Sequence, residues 1–194
     1  MKSRNRMRVA VLLALSAVQS WAAPAPPQEA LIATSKGTIV VRLLPEIAPL
    51  HVQHFVQTAK AGGYGHTTFH RVIAGGIIQG GDPLSKDPKK TALYGRGGLG
   101  LLKAEFSERP FVRGVVAAAR RPGDPNSGGT QFFIVLREQP GLRGQYTIFG
   151  EVSSGLEVAD EISTTPSDGD KARERVEMQV SVRDAPAPST GATP

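Results

Sequence analysis

The sequence contains no cysteine among its 194 residues. Disulfide bonds, thiol catalysis, thiolate metal ligands and lipid attachment through cysteine are therefore excluded. Aromatic residues are also scarce at 6%, while hydrophobic residues make up 40% of the chain and charged residues 21%. This composition is typical of one soluble globular domain whose stability comes from its apolar core rather than from cross-links.

Long apolar runs are missing as well, since none reaches the roughly 20 residues that a membrane-spanning helix needs. The run over residues 9–18 follows four basic residues within residues 1–8 and precedes the small residues Ser20 and Ala22. This order predicts a secretory signal peptide over residues 1–22 and a periplasmic or secreted mature protein. An uncleaved membrane anchor is the alternative, although the apolar run has about half the length required.

Little net charge would remain after removal of such a signal peptide. The formal net charge of the whole chain is +6, and the four basic residues of the signal segment account for all but +2 of it. Nucleic-acid binding normally requires a basic stripe, so this near-balance argues against it. We therefore expect no nucleic-acid partner, no membrane attachment after cleavage and, by default, a monomer.

Proline-rich segments flank the predicted domain. Residues 23–28 are predicted to form a linker, and the segment APAPSTGATP, residues 185–194, is predicted to be a disordered tail. The tail has neither the apolar periodicity nor the charge pattern of a folded segment. The folded domain is accordingly expected to span residues 29–184.

Hydrophobic periodicity within this domain predicts mostly strands. Two β-branched runs joined by Ser35-Lys36-Gly37 predict a hairpin, and alternation over residues 176–182 predicts a final strand. Helices are predicted from Pro49 to the Gly62-Gly63 pair and over residues 156–162. Further strands are predicted over residues 67–73, 77–81, 112–119, 130–136 and 146–152. About eight strands and two helices without βαβ alternation predict a mainly β fold, an antiparallel sheet closed into a barrel.

The segment FHRVIAGGIIQGGDP, residues 69–83, predicts a hairpin centred near Gly75. Positions that sum to 150 then pair, which places Arg71 opposite Gln79. The residues expected on the face of Arg71 are Phe69, Ile73, Ile77 and Gln79. Val72 and Ile78 lie on the opposite face, towards the predicted core.

The segment TQFFIVL, residues 130–136, repeats this two-sided apolar pattern. Alternation gives one face Gln131, Phe133 and Val135, and the other face Phe132, Ile134 and Leu136. The strong polar groups of the hairpin and of this strand are one guanidinium and two carboxamides. Such a combination suits a shallow apolar pocket rimmed by hydrogen-bond donors.

Three segments, FHRVIAGGIIQGGDP, NSGGTQFFIVL and GQYTIFGEVSSGLEVADEI, resemble the cyclophilin peptidyl-prolyl isomerases. The resemblance covers about residues 30–182. It implies a closed eight-stranded antiparallel β-barrel capped by two α-helices, with the substrate groove on the outer wall. It also implies an enzyme that accelerates rotation about X–Pro bonds and assists the folding of exported proteins. Its partners would be proline-containing peptides and unfolded or folding polypeptides, and no cofactor is implied.

The resemblance also assigns roles to individual residues. Arg71 matches the catalytic arginine of the family, and Arg120 matches a position that contacts substrate through its backbone. The residues matched to the substrate groove are Ile77, Gln79, Ala119, Arg120, Gln131, Phe133, Leu142 and Tyr146. Four of these, namely Ile77, Phe133, Leu142 and Tyr146, are expected to grip the proline ring.

Two glycines depart from the pattern of the family. Gly76 stands where most members place a phenylalanine at the floor of the proline pocket, and Gly141 stands where many eukaryotic members carry a tryptophan that contacts cyclosporin. We therefore expect weak cyclosporin binding and a pocket that is shallower or differently filled. A cyclophilin-like binding or chaperone module with little turnover is the alternative to an enzyme.

The implied reaction requires rotation about a partial double bond, with a barrier of about 18–20 kcal/mol, and no bond cleavage. In the twisted transition state the proline nitrogen recovers its lone pair, which the guanidinium of Arg71 can hydrogen-bond. Gln79 is expected to hold Arg71 in position across the ladder. An enzymatic rate requires the barrier to fall by about 4–7 kcal/mol, which one charge-assisted hydrogen bond with preorganisation and desolvation can supply.

Two further patterns in the sequence resemble sites of other functions. His51 and His54, and likewise His66 and His70, have spacings seen in zinc sites, but no HExxH arrangement accompanies them. His70 is expected to be a buried, hydrogen-bonded strand residue and the other pair, on the helix, mostly exposed. The segment GRGGLG, residues 95–100, matches a dinucleotide-binding pattern by letter, but no strand precedes it. We expect a glycine-rich loop there, and neither metal nor nucleotide.

Overall fold

The computed structural model describes residues 27–186, which form ten strands and two α-helices. The strands are β1 (Gln28–Thr34), β2 (Gly37–Leu43), β3 (Thr67–Ile73), β4 (Ile77–Gly80), β5 (Val115–Ala118), β6 (Phe132–Val135), β7 (Ile148–Ser154), β8 (Ser167–Asp168), β9 (Lys171–Ala172) and β10 (Glu177–Asp184). The helices are α1 (Pro49–Lys60) and α2 (Leu156–Ser163). Short 3₁₀ turns cover Pro83–Lys86, Pro88–Leu93 and Pro140–Leu142.

The predicted domain limits stay a prediction. The signal peptide, residues 23–26 of the linker and residues 187–194 of the tail lie outside the described residues. Strand β1 begins at Gln28, the last residue of the predicted linker, and β10 ends at Asp184. The two ends of the described segment meet beyond these strands, where the N–H of Ala185 donates to the carbonyl of Pro27 at 2.7 Å.

Eight of the strands close into an antiparallel barrel, which confirms the predicted fold. Their order around the barrel is β1, β2, β7, β5, β6, β4, β3 and β10, and β10 pairs with β1 as well as with β3. The remaining strands, β8 and β9, form a two-stranded ribbon that the sequence did not predict. This ribbon joins the barrel where Lys171 pairs with Arg71 of β3.

An inner core fills the barrel. Its buried side chains come from all eight barrel strands and from both helices, for example Ile32, Ile39, Ile78 and Ile162. These four are fully buried, and full burial of an aliphatic side chain of this size contributes about 1.5–3 kcal/mol. The period-two alternation of the strands is therefore what supplies this core with apolar side chains from one face of each strand.

A second apolar cluster lies on the outer side of the wall. Phe133 and Val135 of β6 belong to it, whereas Phe132 and Ile134 of the same strand belong to the inner core. The predicted two faces of this strand are thus confirmed. The other buried members of the outer cluster are Leu44, Phe111, Val115, Ala117, Ala119 and Ile148.

The expected position of Phe69 is wrong. Arg71 pairs with Gln79 as predicted, but a register shift between Phe69 and Arg71 brings Phe69 opposite Gly80. Such a bulge breaks the alternation of the strand by one residue. Phe69 therefore points into the inner core, where its ring contacts Phe132 edge-on at 6.2 Å between centroids.

Helix α1 begins at Pro49, and its apolar face contributes Val52, Phe55 and Ala59 to the inner core. The chain leaves the helix through Gly62, whose φ of +70° suits glycine. Both helices agree with the prediction to within two residues. Within residues 27–186, no helix combines the length and the apolar character that crossing a bilayer would take.

The start of α1 is capped by a side chain from a distant segment. The carboxylate of Glu105 accepts the backbone N–H groups of Leu50 and His51, both at 3.0 Å, and contacts Nδ1 of His51 at 2.6 Å. His51 is consequently buried, with 4% of its surface exposed, so the expectation of a mostly exposed histidine pair is wrong for this residue. The cap satisfies helix N–H groups that have no partner within the helix.

The pKa of Glu105 lies below its ordinary value. Burial alone would raise this pKa, but the hydrogen bonds from the His51 ring and from the two backbone N–H groups outweigh that effect. A carboxylate whose pKa is lower in the folded state stabilises the fold above its unfolded pKa and loses that contribution as the pH falls through its folded pKa.

We predict that Glu105→Ala lowers the free energy of unfolding at pH 7 by about 2 kcal/mol, because a charged helix cap is lost. Denaturant unfolding measures the change, with the exposed Glu138→Ala as the control. The difference between wild type and variant should shrink as the pH is lowered below 4.5, the ordinary pKa of this carboxyl. Equal stability at pH 7 would contradict the assigned role.

Candidate functional site

A depression of about 1200 Å³ lies on the outer wall of the barrel, above the outer apolar cluster. Arg71 lines it, together with all but one of the residues that the family resemblance assigned to the groove. Those lining residues are Ile77, Gln79, Ala119, Arg120, Phe133, Leu142 and Tyr146. The exception is Gln131, which is buried beside the depression.

Arg71 projects from β3 into this depression. Its Nε donates a hydrogen bond to Oδ2 of Asp170 at 2.6 Å, and 38% of its side chain is exposed. Within residues 27–186 the hydrogen bonds of this guanidinium involve Nε alone. Both terminal NH₂ groups therefore remain available to a ligand in the depression. The Arg71 guanidinium also holds the pKa of Asp170 below its ordinary value.

Gln79 lies opposite Arg71, as predicted, but its hydrogen bond goes elsewhere. Its Nε2 donates to Oε1 of Gln131 at 3.0 Å, and Nε2 of Gln131 donates to the carbonyl of Gly97 at 2.6 Å. The expected hold of Gln79 on Arg71 is thus not observed, and Asp170 takes that place. The buried side chain of Gln131 therefore fixes the carboxamide of Gln79.

The glycine-rich loop that contains Gly97 is itself held by a buried carboxylate. Asp82 is fully buried, and its side chain accepts the backbone N–H groups of Gly95 at 2.5 Å and Leu84 at 2.8 Å. The segment GRGGLG follows a 3₁₀ turn over Pro88–Leu93 rather than a strand. The structure therefore uses this loop to support the two carboxamides.

The apolar half of the depression is built around Phe133. The ring of Tyr146 meets Phe133 edge-on at 5.4 Å, and Phe111 stacks behind Phe133 at 6.3 Å between centroids. The guanidinium of Arg120 lies 4.6 Å from the centroid of Tyr146, and its Nε donates to the carbonyl of Gln145 at 2.9 Å. Aromatic packing on both sides fixes Phe133, while a cation–π contact fixes Tyr146.

The space beside Gly76 is already occupied. A Cβ placed on Gly76 would lie 2.8 Å from Cγ2 of Ile73, which is too short for two carbon atoms that are not bonded to each other. Ile73 itself lines the depression. The pocket is therefore differently filled at this point, with Ile73 lying where a larger side chain at position 76 would begin. Gly141, in contrast, has nothing within 4 Å of an added Cβ.

His70 is a lining residue that the sequence did not assign to the site. It is buried as expected, but within the described residues neither ring nitrogen has a hydrogen-bond partner, contrary to the expectation of a hydrogen-bonded histidine. Burial lowers its pKa, which the charge of Asp82 partly opposes. The imidazole is consequently neutral near pH 7 and presents one donor and one acceptor.

Asp170 and Ile73 were also missed as parts of the site. Ile73 was predicted to share the face of Arg71, and only the close contact with Gly76 indicates what it does there. Asp170 lies 99 residues from Arg71 in the chain, in the ribbon that sequence periodicity did not predict. No local sequence signal joins two such distant residues.

Comparison with known proteins gives consistent matches. The sequence model of a family described as cyclophilin type peptidyl-prolyl cis-trans isomerase/CLD matches residues 30–185. A protein of Brucella suis named "Probable peptidyl-prolyl cis-trans isomerase" is 39% identical over 166 residues, which cover 82% of this chain and 84% of that protein. The "Peptidyl-prolyl cis-trans isomerase-like 3" of Gallus gallus is 38% identical and covers 69% of this chain and 80% of its own.

Solved structures match in the same way. A crystal structure of a Cryptosporidium parvum cyclophilin type peptidyl-prolyl cis-trans isomerase has a TM-score of 0.74 at 30% identity, and the match covers 82% of this chain and 99% of that chain. A second crystal structure of that protein, in the presence of the dipeptide Ala-Pro, has a TM-score of 0.72 at 29% identity and covers 81% and 99%. Fold, family model and sequence identity agree, and the chain therefore belongs to the family of cyclophilin-type peptidyl-prolyl cis-trans isomerases.

Proposed function

We propose that this isomerase acts on X–Pro bonds of extended polypeptides, with Arg71 as the electrostatic catalyst. The observation that carries the proposal is the position of Arg71, whose terminal NH₂ groups are unbonded within residues 27–186 and stand beside an apolar hollow. The side chains proposed to seat the proline ring in this hollow are Ile77, Phe133, Leu142 and Tyr146. No covalent bond needs to break in the reaction.

The arrangement suits the electronic change in the reaction. The planar amide is charge-separated and loses favour when the ring enters an apolar hollow, whereas the twisted amide presents a nitrogen lone pair. An NH₂ group of Arg71 would donate to that lone pair. The donor is already in place before the reaction, so little reorganisation is needed in the transition state.

The rest of the groove is proposed to bind the polypeptide backbone. Gln79 is partly exposed and held by Gln131, so its carboxamide has a fixed direction towards the substrate. The small side chain of Ala119 would leave room for the substrate polypeptide, and the backbone of Arg120 would contact that polypeptide at the rim of the depression. A related protein was crystallised in the presence of Ala-Pro, which supports proline-containing peptides as ligands. Unfolded or folding polypeptides would supply such segments.

The biological setting is proposed from the sequence. The signal-peptide pattern of residues 1–22 supports export, so the clients would be exported proteins whose folding awaits proline isomerisation. The net charge of about +2 that would remain after cleavage supports the absence of a nucleic-acid partner, and a monomer is proposed by default.

We predict that Arg71→Ala lowers kcat/KM for a short X–Pro peptide by about 100- to 1000-fold, because a preorganised donor is lost. Arg71→Lys should retain the charge but not the planar fork, and should show a smaller loss. A cis-to-trans isomerisation assay measures both. Arg113→Ala, which removes an arginine away from the depression, is the control. A wild-type rate no faster than that of Arg71→Ala would favour a binding or chaperone module instead.

We predict that Gly76→Phe lowers kcat/KM by about tenfold, because the new side chain must displace Ile73. The double variant Gly76→Phe with Ile73→Ala should recover much of the activity, since the ring can then occupy the vacated space. Ile73→Ala alone tests whether this side chain supports the hollow. A higher rate for Gly76→Phe alone would mean that the space beside Gly76 is open.

We predict that the full chain, expressed in a bacterium with a secretory pathway, is recovered outside the cytoplasm with a mass that lacks about residues 1–22. Leu13→Arg should interrupt the apolar segment and leave a full-length product in the cytoplasm. Cell fractionation and intact-mass measurement distinguish the two. A full-length wild-type product in the membrane fraction would support an uncleaved anchor.

A further inference from the structure

Asp170 is tied to β3 by two hydrogen bonds. Its backbone carbonyl accepts the N–H of Val72 at 2.8 Å, and its Oδ2 accepts Nε–H of Arg71 at 2.6 Å. The next residue, Lys171, pairs with Arg71 in the sheet. Main chain and side chain together therefore fix the carboxylate at one place beside the guanidinium.

Asp170 binds Nε–H of Arg71 and therefore leaves both terminal NH₂ groups of the guanidinium available. A guanidinium has five N–H donors in one plane, and Nε–H lies on the edge nearest the aliphatic stem. A fixed acceptor on that edge restrains rotation of the whole plane. The two terminal NH₂ groups then keep a constant direction, although 38% of the side chain is exposed.

We propose that Asp170 is a positioning residue of the isomerase, holding the guanidinium of Arg71 so that its terminal NH₂ groups face the hollow. This inference rests on the proposed role of Arg71 as the catalyst. It assigns a function to the β8–β9 ribbon as well, because the turn at Gly169, between these strands, delivers Asp170 to the side of β3.

Exposure argues that the pair serves catalysis more than stability. The side chains of Arg71 and Asp170 are 38% and 46% exposed, and ion pairs as exposed as this contribute little to the stability of a fold. Geometry is a stricter requirement, since displacement of a catalytic group by about 1 Å can lower a rate by up to about a hundredfold. Loss of Asp170 should therefore affect kcat much more than folding.

A different role for the carboxylate would have the opposite effect. If Asp170 mainly weakened the positive charge on Arg71, its removal would raise the rate, and the neutral Asp170→Asn would act like Asp170→Ala. If it positions Arg71, an asparagine oxygen can still accept Nε–H and should preserve most of the alignment. Alanine offers no acceptor, so the two variants should differ.

The test measures kcat and KM of the full-length protein with a short X–Pro peptide. Asp170→Ala should lower kcat by about tenfold with KM changed less than twofold, and Asp170→Asn should recover most of the loss. In ¹⁵N NMR spectra the Nε–H signal of Arg71 should shift strongly in Asp170→Ala and only slightly in Asp170→Asn. If Asp170→Ala folds poorly, kcat and the Nε–H signal of Asp170→Asn still test the positioning role.

Asp160→Ala is the matched control. Asp160 accepts two hydrogen bonds from the guanidinium of Arg113, at 2.6 and 2.8 Å, with side-chain exposures of 45% and 43%, and neither residue lines the depression. Its removal should leave kcat unchanged.

The two proposals fail in different ways. If Arg71→Ala retains the wild-type rate, the role of Arg71 is wrong. If Arg71→Ala is inactive but Asp170→Ala keeps full kcat, or if both Asp170 variants are faster than wild type, the positioning role of Asp170 is wrong.

Discussion

The pairing of β3 with β4 is the constraint on which the rest of the site depends. It places Arg71 opposite Gln79 and Ile73 opposite Ile77, with all four on the outer side of the wall. A slip by one residue would turn the guanidinium into an apolar core and bring Val72 to the surface. The slip is opposed by the burial of Val72 and Ile78, so core packing determines where the guanidinium of Arg71 points.

The apolar hollow is the solvent-exposed side of the outer apolar cluster. Phe133 is 4% exposed and packs between Phe111 and Tyr146, while its neighbour Phe132 faces the inside of the barrel. One strand therefore supports both the fold and the surface that is proposed to receive a proline ring. Phe133 is held by this packing before any ligand binds, so ordering its ring costs little when a substrate binds.

Sequence periodicity predicted most elements of this fold and the shared face of Arg71, Ile77 and Gln79, because alternation, helix spacing and turn residues are local. The other half of the depression, with Ala119, Arg120, Leu142 and Tyr146, was assigned by the family resemblance alone. Periodicity failed where a contact is distant or a strand is irregular. The bulge that buries Phe69 interrupts the alternation of β3, which carries no glycine or proline at that point, although Gly80 lies opposite it on β4. His51 is buried by Glu105, which lies 54 residues away, and Asp170 reaches Arg71 from a ribbon whose strands have two residues each. Strands of two residues have no periodicity to detect.

The 38% exposure of the Arg71 side chain is a difficulty for the proposed electrostatic mechanism, since water weakens a charge-assisted hydrogen bond. The position of Arg71 at the border of the apolar hollow resolves it. A proline ring seated against Phe133 and Ile77 would cover the terminal NH₂ groups and remove water from them at the moment when the donor is needed. Before binding, the guanidinium keeps its hydration and its bond to Asp170, which avoids the cost of a permanently buried charge. Because the Arg71 side chain is exposed, packing alone does not fix its direction. The carboxylate of Asp170, held beside Nε, gives the solvated guanidinium a defined direction.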